Sequence, residues 1–290
     1  MPVFTERTLI DKGWSGDKKY RAVLPDGRVV LYRVSDPDSY ERKAKEFAYL
    51  QSAASLGIPM CMPLEFGRTE EGVYSLTTFI DGEDMEAVIG TLSEAEQDRL
   101  GEDAGRTLAK LHTLPAPADA EDWEIRFNRK IDRKIRGYTE CPLRFEGDRH
   151  MLRYIRENRH LLAGRPQCMQ HGDYHIGNLM LRDGQAVVID FNRFDWGDPW
   201  EEFNRIVWCA QSSPAFASGR VRGYFYGEPP MEFWRLLALY ISSNTLSSMY
   251  WAIPFGQKEI DTMMRQAAEV LEWYDNMKNP VPTWYRCGAI

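Results

Sequence analysis

Short β-rich runs broken by turn residues fill the first part of the chain. Ala22-Val23-Leu24 and the run RVVLYRV at 28–34 flank Pro25-Asp26-Gly27, and β-rich runs around an Asp-Gly turn predict a hairpin. Upstream, Gly13-Trp14-Ser15-Gly16-Asp17 reads as a tight loop joining Thr8-Leu9-Ile10 to that hairpin. From Tyr40 to Leu56 the spacing of Phe47, Leu50 and Ala54 puts apolar side chains on one face, with Gly57 as a stop, which predicts a helix. GVYSLTTFI at 72–80 is a further strand, ended by Asp81-Gly82.

Beyond Gly82 the period becomes helical. Ser93-Glu94-Ala95-Glu96 has the form of a capping box, and Leu100, Ala104, Leu108 and Leu111 follow at helical spacing. Phe127, Ile131, Ile135 and Tyr138 form a second stripe, backed by Arg126, Arg129, Lys130, Arg133, Lys134 and Arg136. Such a basic face can bind an anion, but a solvated helix face is its ordinary meaning. After Pro229-Pro230, helices are predicted over 231–253 and 257–277, parted by Pro254. The uncharged stretch from Leu236 to Ile253 approaches membrane-spanning length. Ser242, Ser243, Asn244, Thr245, Ser247 and Ser248 interrupt it, so it reads as a buried helix. The pattern predicts an α+β chain with a strand-rich part at 1–80, a connector near 78–84 and a mostly helical part at 81–290. A cleft between two such parts is a natural ligand site.

Composition narrows the partners. The 290 residues carry a net charge of −7 with 43% hydrophobic positions. That is enough apolar material for a sizeable core, and the acidity argues against nucleic acid while suiting a neutral or cationic ligand. Five cysteines without a CxxC pair read as the reduced thiols of a cytosolic protein. The first residues lack an apolar leader, so a cytoplasmic protein with no membrane association is expected.

The candidate chemistry lies in His171-Gly172-Asp173-Tyr174-His175-Ile176-Gly177-Asn178, followed by Ala186-Val187-Val188-Ile189-Asp190-Phe191. Asp173 and Asn178 are five apart in a Gly-containing loop. Asp190 ends an apolar strand that follows a turn at Asp183-Gly184. Phosphoryl transfer needs a carboxylate to orient the attacking hydroxyl and accept its proton. It also needs an amide oxygen and a second carboxylate to hold Mg²⁺, a hard cation that prefers oxygen ligands. The spacing Asp-x₄-Asn, then an apolar strand ending in Asp-Phe, is that of a kinase catalytic loop and metal strand.

With these motifs the chain resembles the aminoglycoside phosphotransferase and choline-kinase-like branch of the protein-kinase-like fold. HGDYHIGN looks like the catalytic loop of that branch, and IDFNRFDWGDPWEEF like its metal-binding segment. The resemblance implies a bilobal fold with a small five-stranded antiparallel N-lobe and a larger helical C-lobe. It also implies ATP and Mg²⁺ as cofactors and γ-phosphate transfer to a hydroxyl of a small molecule: an aminoglycoside-like antibiotic, a sugar or an amino alcohol. Carried over by position, Asp173 is the catalytic base, and Asn178 and Asp190 hold magnesium. Ser15 and Gly16 lie in the loop over the phosphates. Arg33 stands where the family usually has lysine, with Glu46 as its partner, and a planar guanidinium is not a lysine point charge. Thr78 and Ile80 fall in the connector whose backbone meets adenine. For the acceptor, the acids and tryptophans near the metal segment nominate Asp195, Trp200, Glu201 and Glu202, on the premise that the acceptor is cationic. His171 is expected to position the loop. Two other classes stay open: a nucleotide-binding scaffold without turnover, and a metal-dependent hydrolase using His171 and His175.

Overall fold

The structure, a computed structural model, describes residues 2–11 and 16–288. Its chain forms two compact units. One is Met1–Ala87 with Gly177–Phe194, and the other is Val88–Ile176 with Asp195–Ile290.

The first unit is built on strands β1 (Glu6–Leu9), β2 (Lys18–Val23) and β3 (Val29–Ser35), helix α1 (Tyr40–Ser55), and strands β4 (Pro63–Thr69) and β5 (Gly72–Thr78). The five strands pair antiparallel in the order β1-β2-β3-β5-β4. Gly27 has φ +86, which allows the tight β2–β3 turn, closed by its N–H donating to the Leu24 carbonyl. Alternation then sorts the strand faces. Ala22, Val30, Tyr32, Val34, Tyr74 and Leu76 are buried together on one face, each large side chain contributing roughly 1.5–3 kcal/mol. Arg33 has the opposite parity. Helix α1 stops at Gly57, which has φ +64, as the sequence implied. Strand β4, which has no alternating pattern of its own (Pro-Leu-Glu-Phe-Gly-Arg-Thr), pairs along β5.

A cut at residue 80 does not describe the units, because a later hairpin returns to the first one. Strand β6 (Glu83–Asp84) pairs with β8 (Leu179–Arg182), which pairs with β9 (Gln185–Val188). The Cys61 N–H donates to the Val188 carbonyl, and the Val188 N–H to the Pro59 carbonyl. Backbone hydrogen bonds of this kind are distant in sequence and leave no local pattern.

The second unit contains helices α3 (Glu94–Leu111), α4 (Trp123–Glu140) and α5 (Asp148–Asn158), reached through the short α2 (Met85–Val88). Strands β7 (Cys168–Gln170) and β10 (Asp195–Gly197) pair antiparallel. Helices α6 (Ile206–Ser212), α7 (Pro214–Phe225), α8 (Met231–Ala252) and α9 (Gln257–Trp273) complete it. The α3 capping box forms in full, with Ser93 and Glu96 satisfying each other's backbone N–H groups. Helix α8 is buried along most of its length, and no helix of the described residues is long and apolar enough to cross a membrane.

Helices α3 and α7 meet backbone to backbone. A Cβ on Gly101 or Gly105 would lie 2.2 Å from the carbonyl oxygen of Phe216 or Arg220, and one on Gly219 or Gly223 would lie 2.2 or 2.1 Å from that of Asp98 or Glu102. Only glycine permits this approach. Gly105→Ala is therefore expected to destabilise the protein by about 3 kcal/mol, the upper range for overpacking, because backbone cannot step aside as a side chain can. Gly90→Ala, with nothing within 4 Å of the added carbon, serves as the control and should stay within about 0.5 kcal/mol. Denaturant unfolding of both variants checks this, and equal midpoints would contradict the close packing.

Candidate active site

In the second unit the pairing of β10 with β7 sets residues 195–202 beside the loop that follows β7. Asp195 faces Gln170 and Gly197 faces Cys168. The loop turns at Gly172, φ +83, and exposes two backbone N–H groups to the buried carboxylate of Glu202. Gly172 donates to it at 3.0 and 3.1 Å, and Tyr174 at 3.2 Å. His112 Nε2 stands 4.0 Å away. Burial alone raises a carboxyl pKa. Here His112, the charge of His171 and the Gly172 amide outweigh it and bring Glu202 down to about 2. Tyr174, fully buried, donates its hydroxyl to the Ala104 carbonyl on α3 at 2.8 Å, and the Arg220 guanidinium lies 4.8 Å from the ring centroids of both Tyr174 and Phe203. The loop is thus held from below on both sides of Asp173.

Asp173 keeps its carboxylate toward polar groups. Its Oδ1 is 3.3 Å from Arg205 Nε and 3.8 Å from His175 Nε2. Burial lowers the His175 pKa to about 4 despite the pull of Asp173, so this imidazole is neutral near pH 7. The Asp173 N–H donates to His171 Nδ1 at 3.3 Å, and His171 is fully buried with its ring edge-on to Tyr174.

The first unit carries the other expected groups. Asn178 accepts at its carbonyl from the Ile189 N–H, 3.1 Å, which ties it to the residue before Asp190. The β8–β9 turn uses Asp183 and Gly184, φ +51 and +73, the signs of a type I′ turn. Asp190 then has φ +63 and ψ +58. A left-handed aspartate costs roughly 1–3 kcal/mol, and such strain gathers at functional sites. Its carboxylate lies 2.7 Å from Arg33 Nη2 and 3.7 Å from Lys19 Nζ.

Arg33 and Glu46 do not pair. Arg33 reaches Asp190 and, at 3.7 Å, Asp17. Glu46 is taken by Lys43, three residues earlier on the same helix, at 2.9 Å, and by Arg42 at 2.7 Å. Lys43, buried, also binds Asp17 at 2.8 Å. Asp17 would be raised by burial, but the hydrogen bond and charge of Lys43 hold its pKa below the usual value. A cavity is lined by Arg33, Lys43, Glu46, Cys61, Thr77 and Asp190. Gly16 is exposed, and Ser15 lies outside the described residues. The Thr78 N–H is already spent on the Met62 carbonyl at 2.9 Å. Ile80, half-buried just beyond β5, carries no backbone hydrogen bond among the described residues.

Three cations here went unnamed in the sequence reading: Lys19, Lys43 and Arg205. For Lys19 a signal existed. The turn at Pro25-Asp26-Gly27 fixes the β2–β3 register, and that register sets Lys19 opposite Arg33. Lys43 and Arg205 depend on tertiary placement.

The four residues proposed for a cationic acceptor are used internally. Asp195 pairs with Arg126. Glu201 binds Lys130 at 3.1 Å and Gln170 Nε2 at 3.3 Å, and Glu202 holds the loop. The Trp200 ring lies under the Arg165 guanidinium at 3.8 Å and against Phe225 and Phe233. Their proximity in sequence reflects the strand and turn that carry them. Asp198 is equally structural: it is fully buried, with two bonds from Arg165 at 2.7 and 3.0 Å, one from the Tyr240 hydroxyl at 2.6 Å and one from the Trp200 N–H at 2.9 Å.

A model of the phosphotransferase enzyme family matches residues 6–234. Among solved structures, the ADP-bound aminoglycoside phosphotransferase APH(2'')-Ib is similar at TM-score 0.63 and 16% identity, over 92% of this chain and 94% of that one. The ternary complex of a thermostable aminoglycoside phosphotransferase APH(4)-Ia with ADP and hygromycin B matches at TM-score 0.67 and 14% identity, over 93% and 94%. A choline/ethanolamine kinase family protein from Mesorhizobium loti matches at 0.67 and 17%, over 96% and 92%. No curated protein sequence is significantly similar. The fold is the protein-kinase-like one, with a small antiparallel sheet and a larger helical part.

The depressed Glu202 pKa has a consequence for stability. A carboxylate whose pKa falls on folding stabilises the native state above its unfolded value, 4.5, and that contribution is lost as pH drops toward about 2. Glu202→Gln should remove this part of the acid transition and, at pH 7, cost roughly 2–3 kcal/mol through the weakened amide bonds. Denaturant unfolding of both proteins from pH 7 to 2 tests it. Parallel pH profiles would contradict the assignment.

Proposed function

Since the chain belongs to the phosphotransferase enzyme family, we propose that it transfers the γ-phosphoryl group of ATP, with magnesium, to a hydroxyl of a small molecule. The observation that carries this reading is Asp173, a carboxylate on a loop whose flanking amides are anchored to Glu202. Anchoring of this kind suits a base that must meet one proton in one position.

The residues fit both the nucleotide and magnesium. Asp190 and Asn178 offer the hard oxygen donors that magnesium prefers, and they are linked through Ile189. Arg33, Lys19 and Lys43 provide three cations on one face for phosphate oxygens. Ile80 provides uncommitted backbone for a purine edge. Bound ATP and magnesium supply the phosphoryl group and neutralise its charge. In this reading Arg33 gives up Asp190 when nucleotide arrives and turns its planar donors to phosphate. Asp173 orients the acceptor hydroxyl and receives its proton. His175, neutral, carries no competing charge. Lys19 and Arg33 both face Asp190, and burial lowers the Lys19 pKa against the attraction of that carboxylate.

A nucleotide-binding scaffold without turnover needs nothing at position 173. The two readings separate in one experiment. Asp173→Asn is expected to lower kcat by about 10²–10⁴-fold while the KM for ATP changes little. Asp190→Asn should weaken magnesium-dependent nucleotide binding together with turnover, because an amide is the poorer ligand for a hard cation. Steady-state kinetics and nucleotide titration with and without Mg²⁺ check both. A wild-type kcat in Asp173→Asn overturns the mechanism.

A further inference from the structure

The surroundings of Asp173 are basic. Arg205 approaches it through Nε at 3.3 Å, and the two terminal nitrogens of the guanidinium have no protein acceptor among the described residues. Lys134, one turn after Lys130 on α4, is half-buried and without an ion pair or hydrogen bond among the described residues, and Arg205 is among the charges that act on it. Among the largest charges acting on its ammonium, Lys130, Arg205 and Arg133 are positive and Glu201 is negative. Glu201 is already shared between Lys130 and Gln170. Lys130, one turn before Lys134 on α4, lies 3.1 Å from Glu201, which is itself four residues before Arg205, so Lys130, Lys134 and Arg205 gather about one committed carboxylate. Earlier on the same helix, Arg126 pairs with Asp195 and Arg129 with Glu121.

An ammonium half-buried among like charges is costly unless something answers it. Burial, followed by repulsion from Lys130, brings the Lys134 pKa down to about 7, the response of a cation that lacks its counter-ion. The acids that would recruit a cationic acceptor are turned to structural tasks, as described above. The cations next to Asp173 are not.

Resting on the kinase reading, we propose that the acceptor carries an anionic group, a carboxylate or a phosphate, besides its reactive hydroxyl. Lys134 and the free nitrogens of Arg205 bind that group. Arg205 serves two partners: Nε stays on Asp173 while the outer nitrogens hold the anion, which places the hydroxyl next to the base. Glycerol 3-phosphate and gluconate carry the two candidate anions beside hydroxyls. Glycerol and choline are their neutral and cationic counterparts.

Isothermal titration of the whole protein with these four probes tests the site without any need for turnover. At least one of the two anions is expected to bind. Lys134→Gln should weaken that binding roughly 10- to 100-fold, the worth of a charged hydrogen bond, and Lys134→Arg should restore most of it. Binding by one anion and not the other identifies which group the site takes. If neither anion binds, or if Lys134→Gln binds as tightly as wild type, the proposal is wrong and the ion sits elsewhere. A turnover panel adds the second arm. Anionic hydroxyl compounds should be phosphorylated, with their KM raised in Lys134→Gln and the KM for ATP unchanged. Efficient turnover of choline or an aminoglycoside, with no anion binding, would sink this inference while leaving the kinase reading intact. Anion binding that depends on Lys134, with no turnover of any compound, would do the reverse.

Discussion

Two backbone N–H groups pointing at one buried carboxylate hold the loop that carries Asp173 in place. A charge as deeply buried as Glu202 is tolerated only when hydrogen bonds replace the water it has lost. Gly172 and Tyr174 supply them, so the loop cannot move without exposing the cost of that charge. The same constraint reaches outward. Tyr174 is fastened to α3 through Ala104 and covered by Arg220 from α7. Those two helices keep their separation because four glycines let their backbones touch. Packing between helices far from Asp173 in sequence thereby becomes precision at Asp173.

The first unit solves a different electrostatic problem. Lys19, Arg33 and Lys43 would repel one another, and Asp17, Glu46 and Asp190 are interleaved among them. Each of the three cations thus meets at least one carboxylate. Arg33 is the member with most to offer a phosphate, since its fork can present two parallel donors. It is also the one that engages Asp190, so in the proposed mechanism release of one frees the other. Strain at Asp190, held left-handed after a short strand, fits a residue whose position is set by its task more than by its backbone preference.

Much of the architecture could be read in advance where the signal was local. The β2–β3 turn, the α1 stop at Gly57, the capping box at Ser93 and the uncharged helix near 236–252 all rest on residues adjacent in sequence. The sheet order rests on pairings such as Val30 with Thr78, the return of β8–β9 to the first unit on hydrogen bonds such as Cys61 to Val188, and no period encodes them. Asp173, Asn178 and Asp190 were nominated by a fixed spacing. Glu202 was noticed for its charge and misplaced in role: nothing in a sequence tells a carboxylate facing a ligand from one facing the protein's own amides. Lys43 in place of Arg33 as the partner of Glu46 is a contest between two nearby cations, decided by which one the helix brings within 3 Å.

The account turns on where the terminal phosphate of ATP ends up. Incubation with γ-³²P-labelled ATP, Mg²⁺ and a panel of anionic, neutral and cationic hydroxyl compounds, followed by separation of small molecules, protein and inorganic phosphate, measures this directly. The predicted result is label in a small-molecule phosphate ester that forms only with its acceptor present. Label released solely as inorganic phosphate, or left on ATP with every acceptor, would contradict it.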